Sequence, residues 1–309
     1  MGRLVSVVLV TWNSAPYLRR CLEGLAGQTY RETELIVVDN ASSDDSAAIV
    51  AAHATRVIRN DVNRGFSAAV NQAVAVARGE YVQLVNPDCF LTPDYIAMLV
   101  DALERAPGFG SATGKLVRAR GFAIEPAEGI DSMGMRMTRS GRHLDIEEDG
   151  AGGEVFGVSG AAALYRMSFL RDTGGFDEDF FAYREDADLA WRGRLFGWRA
   201  LCEPRAVAYH VRRVTPETRR ALPPEINFHS VKNRFLLRLK NEGAYLALRN
   251  APFELARDLV VLGAALTIER TSLPAFAWLW RNRKRIAGKR RAIQSRRVVT
   301  DRELARWFR

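Results

Sequence analysis

Four groups of residues have types and spacing suited to chemistry. Asn86-Pro87-Asp88 follows directly on the apolar run YVQLV at residues 81–85. A carboxylate at a strand end can hold a divalent cation through oxygen, which suits magnesium or manganese bridging phosphates. The proline stiffens the backbone between the two polar side chains, although the same tripeptide also serves as an Asx-Pro turn opening a helix. Glu185-Asp186-Ala187-Asp188 sets three carboxylates in four residues at a helix start, beside Phe180, Phe181 and Tyr183. One or two acids there complement the helix dipole. Three next to apolar groups are desolvated and repel one another, which raises a carboxylate pKa toward that of a general base. His210, one of four histidines, follows the strand-like AVAY and gains meaning as a ligand only if Asp88 lies nearby. Asp39 and Asn40 close a strand, and Asn63-Arg64-Gly65-Phe66 opens a helix. Such positions hydrogen-bond a base or ribose and let backbone approach a ligand, or they are ordinary caps, with Asn63 as N-cap.

The elements that must position these residues alternate in type. Residues 4–10 form a β-branched strand run followed by Thr11, Asn13 and Ser14. Helical spacing marks 17–28, a second strand 34–38, a helix 46–53, a short strand 56–59, a helix 66–77, a strand 81–85 and a helix 93–105. Strands separated by helices of this length predict βαβ units, a mostly parallel sheet and helices on both faces. The polar clusters follow strand ends, where ligands bind in open α/β sheets. Residues 111–118 read as a strand, and 121–153, rich in Gly, Asp, Glu and Arg, as a loose hairpin or loop. Residues 155–166 resume regularity, and 185–196 read as a helix.

The 309 residues weigh 34.5 kDa, with 48% hydrophobic and 26% charged residues. This excludes a disordered chain and a multi-span membrane protein. Cys21, Cys89 and Cys202 form no CxxC pair, which argues against a disulfide framework or zinc knuckle and suits a reducing cytosol. The apolar run near the N-terminus lacks a cleavage-like site and reads as a buried strand, not a signal peptide. No G-x-G-x-x-G follows the first strand, and no P-loop, G-x-S-x-G or H-E-x-x-H occurs, which removes the dinucleotide, P-loop, hydrolase-elbow and zincin classes.

The ordered segments VSVVLVTWNSAPYLRRCLEGL, ELIVVDNASSDDS, NRGFSAAVNQAVAVARGEYVQLVNPD and GGFDEDFFAYREDADLAWRGRLFGWRALCEPRAVAYH resemble the family 2 inverting glycosyltransferases of GT-A fold, particularly bacterial rhamnosyltransferases. The resemblance implies a catalytic region over 1–212, with a nucleotide-sugar half at about 1–118 and an acceptor half at about 119–212. It implies that Thr11, Asn13, Asp39 and Asn40 line the nucleotide pocket, and that Asn63, Gly65, Phe66, Asn71 and Asn86 flank nucleotide and diphosphate. Asp88, aided by His210, would hold Mg2+ or Mn2+, Asn86 standing where the family motif has its first acid. Asp186 would be the base, with Glu185 and Asp188 near enough for the assignment to exchange. The implied reaction carries a sugar from a nucleotide-sugar donor to a glycan or lipid-linked acceptor. L-Rhamnose from dTDP-L-rhamnose leads the donors, with UDP-galactofuranose, UDP-GlcNAc, UDP-glucose and GDP-sugars as alternatives.

The net charge of +9 is divided. From Arg205 onward there are 24 Lys and Arg against 8 Asp and Glu, a balance of +16, which leaves −7 ahead of it. The ten apolar residues 259–268 are too few to cross a bilayer. Trp278 and Trp280 precede Arg281, Arg283, Lys284, Arg285, Lys289, Arg290 and Arg291. Aromatics beside cations fit a segment lying on an anionic leaflet, which predicts a cytoplasmic chain held peripherally on the inner face of the plasma membrane. A helical pair packed on the catalytic region, with a solvated basic face, explains the same pattern. A nucleic-acid partner is not expected, because the charge is confined to one end and no recognition motif occurs. A non-catalytic sugar-nucleotide binder would not need both Asp88 and Asp186.

Overall fold

The computed structural model describes residues 2–121, 125–212 and 224–309. β1 (Val5–Thr11), α1 (Ala15–Ala26), β2 (Thr33–Asp39), α2 (Ser46–Ala51), β3 (Arg56–Arg59), α3 (Phe66–Val76) and β4 (Tyr81–Val85) build the first half. β5 (Cys89–Leu91), α4 (Tyr95–Glu104), β6 (Phe109–Arg120), β7 (Glu125–Ser132), β8 (Met135–Met137), β9 (His143–Asp145), β10 (Gly153–Val155) and β11 (Ala162–Arg166) follow. α5 (Met167–Thr173), α6 (Glu185–Leu195) and β12 (Arg199–His210) complete the sheet region. Five helices then close the chain: α7 (Pro224–Asn241), α8 (Ala244–Thr267), α9 (Leu273–Arg281), α10 (Arg283–Arg296) and α11 (Asp301–Leu304).

The sheet runs β10-β12-β6-β11-β4-β1-β2-β3, with β5 on β12 and β7 on β6. β4, β1, β2 and β3 are parallel neighbours, as the alternation predicts. The other half is mixed: β11 is antiparallel to both β4 and β6, while β12 is parallel to β6. β1 is apolar along its length because both faces are covered. Val5, Val7 and Leu9 face α1 and α4, whereas Val8 and Val10 face α3. Strand order reverses beside β1, so the crevice at the carboxyl ends of β1 and β4 is where a ligand fits.

Residues 125–153 are more ordered than their composition suggests. β7 pairs with β6, and β8 and β9 make a small separate hairpin. Gly134 and Gly141, at φ 97° and 70°, supply turn conformations that other residues avoid.

The C-terminal helices share a hydrophobic core with α6. Trp191 and Leu195 meet Leu236 and Leu237 of α7, Ile286 and Ile293 of α10, and Phe308. Among the described residues no single helix is long and apolar enough to cross a membrane. α8 and the segment Arg270–Arg281 reach that composition only together, across a bend of 112°.

Candidate functional site

The parallel register of β1 and β2 sets Thr11 beside Asp39. Both are buried, and Thr11 Oγ1 and Asp39 Oδ1 lack a hydrogen-bond partner within the described chain. Buried polar atoms are ordinarily satisfied, so this strand edge is built for a polar ligand. Asn40 ties the neighbouring loops together. Its N–H donates to the Thr11 carbonyl (2.8 Å), its Nδ2 donates to Asn63 Oδ1 (2.8 Å), and its Oδ1 accepts from the Arg64 N–H (3.0 Å). Asn13, at φ 50°, accepts the Ser43 N–H at 2.8 Å. Gly65 has φ +85°, and a Cβ there would stand 2.5 Å from the Phe181 ring. Glycine is therefore required where the Asn63–Phe66 and Phe180–Arg184 segments touch.

A cavity of about 480 Å³ opens at this edge. Asn40, Asn63, Gly65, Phe66, Asn86 and Asp88 line one side, Phe181 to Tyr183 another, and Glu225, Ile226 and His229 of α7 the rest. Asn71 is not brought to it. Its amide is held by the Phe176 backbone, donating to the carbonyl at 2.8 Å and accepting the N–H at 3.0 Å, and it lines a separate cleft.

β5 pairs antiparallel with β12 in a register that sets His210 opposite Cys89. His210 Nε2 thus comes within 3.5 Å of Asp88 Oδ1. On its other side Nδ1 meets Asp131 Oδ2 of β7 at 2.7 Å, and Arg212 pairs with Asp131 at 2.9 Å. Burial pulls the imidazole pKa down, but the Asp131 hydrogen bond and the Asp88 charge override it and lift the pKa to about 9. Among the described residues no three His, Cys, Asp or Glu side chains are grouped to hold a metal. Asp88 and His210 offer a pair, with the buried Asn86 Oδ1 unpartnered two residues before Asp88.

The three carboxylates of α6 have different fates. Asp188 is fully buried and turned away from the cavity, bonded to Arg192 (2.8 Å), Lys240 (2.9 Å) and Asn241 (2.8 Å). Three of its roughly four lone-pair sites are occupied, two of them by the cations Arg192 and Lys240, which disfavours it as a proton acceptor. Asp186 accepts the Gly160 N–H at 3.1 Å and the Ala187 N–H at 2.7 Å. Burial pushes its pKa up while these two donors pull it back. Glu185 is buried with Oε2 unpartnered, and desolvation with repulsion from Asp186 raises it strongly. The two carboxyls titrate as a coupled pair, with Glu185 raised by burial and by the Asp186 charge to about 8. The Ser159–Ala161 segment joins this pair to the other motif: the Gly160 N–H binds Asp186, and the Ala161 carbonyl accepts the Asn86 N–H at 2.8 Å.

Glu185 has a consequence for stability. Its ordinary value is near 4.5 and its folded value about 8. Between those pH values the folded chain retains a proton that the unfolded chain has lost, so stability falls as pH rises through the interval. Glu185→Gln removes this component. Thermal melts across the interval should show the variant gaining on wild type as pH rises; a pH-independent difference would count against the buried protonated state.

Sequence reasoning does not reach the contribution of α7. Phe181, Tyr183 and Arg184 have φ of 65°, 70° and 71°, strained values for side chains of this size. Asn233, fully buried, directs Nδ2 at the carbonyls of Phe180 (2.9 Å), Ala182 (2.7 Å) and Tyr183 (2.7 Å). His229 stacks on Phe181 with centroids 4.6 Å apart. Below them Lys240 and Lys289 grip Asp177, and Arg285 and Lys289 grip Asp179. Burial alone would raise the Asp177 carboxyl, but the two lysines hold it well below the usual range. The sequence signals were the reversal of charge along the chain and the pattern of a C-terminal helical pair packed on the catalytic region.

Residues 6–174 match the model of glycosyl transferase family 2. Over 238 residues the chain is 31% identical to N-acetylglucosaminyl-diphospho-decaprenol L-rhamnosyltransferase of Mycobacterium tuberculosis, covering 68% of this chain and 76% of the relative. Among solved structures, the mannosyltransferase PcManGT from Pyrobaculum calidifontis in complex with GDP-Man and Mn2+ has a TM-score of 0.59 at 22% identity, covering 96% of this chain and 84% of that one. S. aureus TarS in complex with UDP-GlcNAc has a TM-score of 0.61 at 18% identity, covering 94% and 90%. The chain spans about half, 48% and 47%, of two longer solved chains that share its fold.

Proposed function

The chain belongs to glycosyl transferase family 2, and from that premise we propose that it transfers L-rhamnose, with inversion, from dTDP-L-rhamnose to a hydroxyl of a glycan or lipid-linked acceptor. The choice of sugar rests on the rhamnosyltransferase relative. The mechanism rests on one observation: adjacent residues Gly160 and Ala161 bind Asp186 and Asn86, so the carboxylate pair and the Asn86–Asp88 turn flank a single short segment. In this reading residues 1–118 hold the donor, 119–212 present the acceptor side, and the basic region 213–309, of which 213–223 lie outside the described residues, buttresses it through its helices from Pro224 onward. An acceptor of this class puts the enzyme on the cytoplasmic face of the plasma membrane as a peripheral protein.

Thr11, Asn13, Asp39 and Asn40 take the nucleotide, with the unpartnered Asp39 oxygen toward the base. Asn63, Gly65 and Phe66 wall the diphosphate. The acceptor hydroxyl gives its proton to Asp186 as its oxygen bonds to the anomeric carbon. The bond from that carbon to the diphosphate oxygen breaks on the opposite face, and the electron pair leaves with the nucleoside diphosphate. Uncharged Glu185 keeps the pair from carrying two negative charges.

The donor set fits a divalent cation of the magnesium or manganese kind: one carboxylate, one imidazole oriented by Asp131 that would give up its Nε2 proton on binding the ion, and room for the diphosphate oxygens that two protein ligands leave unfilled. Such a cation, when bound by Asp88 and His210, neutralises charge gathering on the leaving diphosphate. Asp88→Ala should therefore lower nucleotide-sugar affinity about tenfold or more in manganese, with little change in EDTA. Equal affinity of wild type and variant in both conditions would remove Asp88 from this role.

The deciding test is a melting-temperature panel of nucleotide sugars with and without manganese or magnesium. A ligand at about a hundred times its Kd adds roughly 2.7 kcal/mol of stability. Stabilisation by dTDP-L-rhamnose, dependent on metal, is the expected result. Stabilisation by a UDP- or GDP-sugar alone would reassign the donor, and no stabilisation by any would overturn the transferase site as read.

A further inference from the structure

The second half of α8 projects from the fold. From Leu259 to Ile268 it carries no charge, and of these ten residues Ala265 alone is buried. Leu259, Val260, Leu266 and Ile268 are 68%, 60%, 53% and 81% exposed. α9 departs at 112° and exposes Leu273 and, at 68%, Trp280. An apolar surface of this kind marks an interaction site rather than ordinary solvent contact. A protein groove would cover one narrow stripe of a helix, whereas the exposed apolar surface here is broader than such a stripe.

The charges beside it point the same way. Arg281 ends α9, Arg283 and Lys284 open α10, and none has an acidic partner among the described residues. No carboxylate occurs between Glu269 and Asp301. Arg285 and Lys289, by contrast, face inward onto Asp177 and Asp179. The cationic cluster of the sequence is thus divided into an inward set that holds the fold and an outward set beside the apolar helices.

We propose that the second half of α8 and α9 form an in-plane docking plate for an anionic phospholipid leaflet. This deepens the lipid-linked acceptor reading by naming the surface that would meet the bilayer. Ten residues at 1.5 Å rise reach only about 15 Å, half the roughly 30 Å hydrocarbon core. Glu269 and Arg270 occupy the corner after them, where a crossing segment would carry charge to the bilayer centre. The geometry therefore suits helices lying at headgroup level, apolar faces inserted about 5–10 Å and cations against the headgroups.

The test is sedimentation of the full chain with vesicles of phosphatidylcholine, alone or mixed with phosphatidylglycerol. Wild type should sediment with the mixed vesicles. Leu259→Asp with Leu266→Asp should reduce uptake about tenfold or more on both kinds. Arg281→Gln, Arg283→Gln and Lys284→Gln together should lose roughly a hundredfold on the mixed vesicles alone, about fivefold per cation. All these positions are exposed, so melting temperature and donor-induced stabilisation should not change. Wild-type-like sedimentation of the aspartate variant overturns the proposal. So does a lipid-free dimer that the aspartates break, without vesicle uptake, since the face would then belong to a second copy. Loss of donor stabilisation with vesicle uptake intact would instead strike the donor reading and leave the plate standing.

Discussion

Asp186→Asn lowers transfer by about 10²–10⁴-fold, the range of general-base assistance, and leaves donor affinity unchanged. The substitution keeps the side-chain shape, but its single oxygen serves only one of the two backbone donors, the Gly160 N–H on Oδ2 or the Ala187 N–H on Oδ1, while the proton acceptor is lost. The separation to look for is therefore in kcat, with the thermal shift from donor preserved. Direction matters as well. Burial holds Asp186 above the ordinary aspartate value, so wild-type turnover should rise with pH through a limb above about 4, and the variant should have no such limb. Near-wild-type turnover would move the base to Glu185, and Glu185→Gln would then be the inactive protein.

Asn233→Asp should have the largest effect on stability. The native amide aims its hydrogens at three carbonyls of the Phe180–Tyr183 segment, two of whose residues hold positive φ. A carboxylate of the same shape faces those carbonyls with lone pairs, buried beyond reach of solvent. Reversing a buried donor in this way costs about 3 kcal/mol or more. Asn233→Ala, which leaves space instead of repulsion, should cost roughly 1–2 kcal/mol. Urea unfolding measures both. Turnover should fall in parallel, because the segment leads directly into Glu185 and Asp186. An aspartate variant as stable as wild type would show that the segment holds its conformation without α7.

Local signals made the first half of the fold legible. The apolar runs 4–10, 34–38 and 81–85 lie within a residue or so of β1, β2 and β4, because strands covered on both faces need continuous β-branched sequence. Of the polar residues near their ends, Asn40, Asn63, Asn86 and Asp88 line the cavity, whereas Thr11, Asn13 and Asp39 do not, and Asn71 on α3 is bonded to the Phe176 backbone. The Asp88–His210 pair required knowing that β5 and β12 are neighbours, a fact separated by more than a hundred residues. Asp131 was hidden in a segment whose composition resembles a loop, and β7 is stabilised only by its pairing with β6. Asp188 looked equivalent to Asp186 on a linear reading. Two positions along a helix turn the side chain to the opposite wall, and there it meets Lys240 and Asn241. The basic tail read either as a segment on an anionic leaflet or as a packed helical pair with a solvated basic face; the partners of Arg285 and Lys289, Asp177 and Asp179, lie more than a hundred residues earlier.

The burial of Asp188 against Lys240 bears on how such enzymes can be cut and recombined. A fragment ending after β12 would leave that carboxylate with Arg192 but without Lys240 and Asn241, and would release the Phe180–Tyr183 segment from Asn233. The first half is not closed on itself either, since β4 pairs with β11 and α7 lines the same cavity. Any chimera that keeps this cavity must carry α7 along as part of the same inheritance.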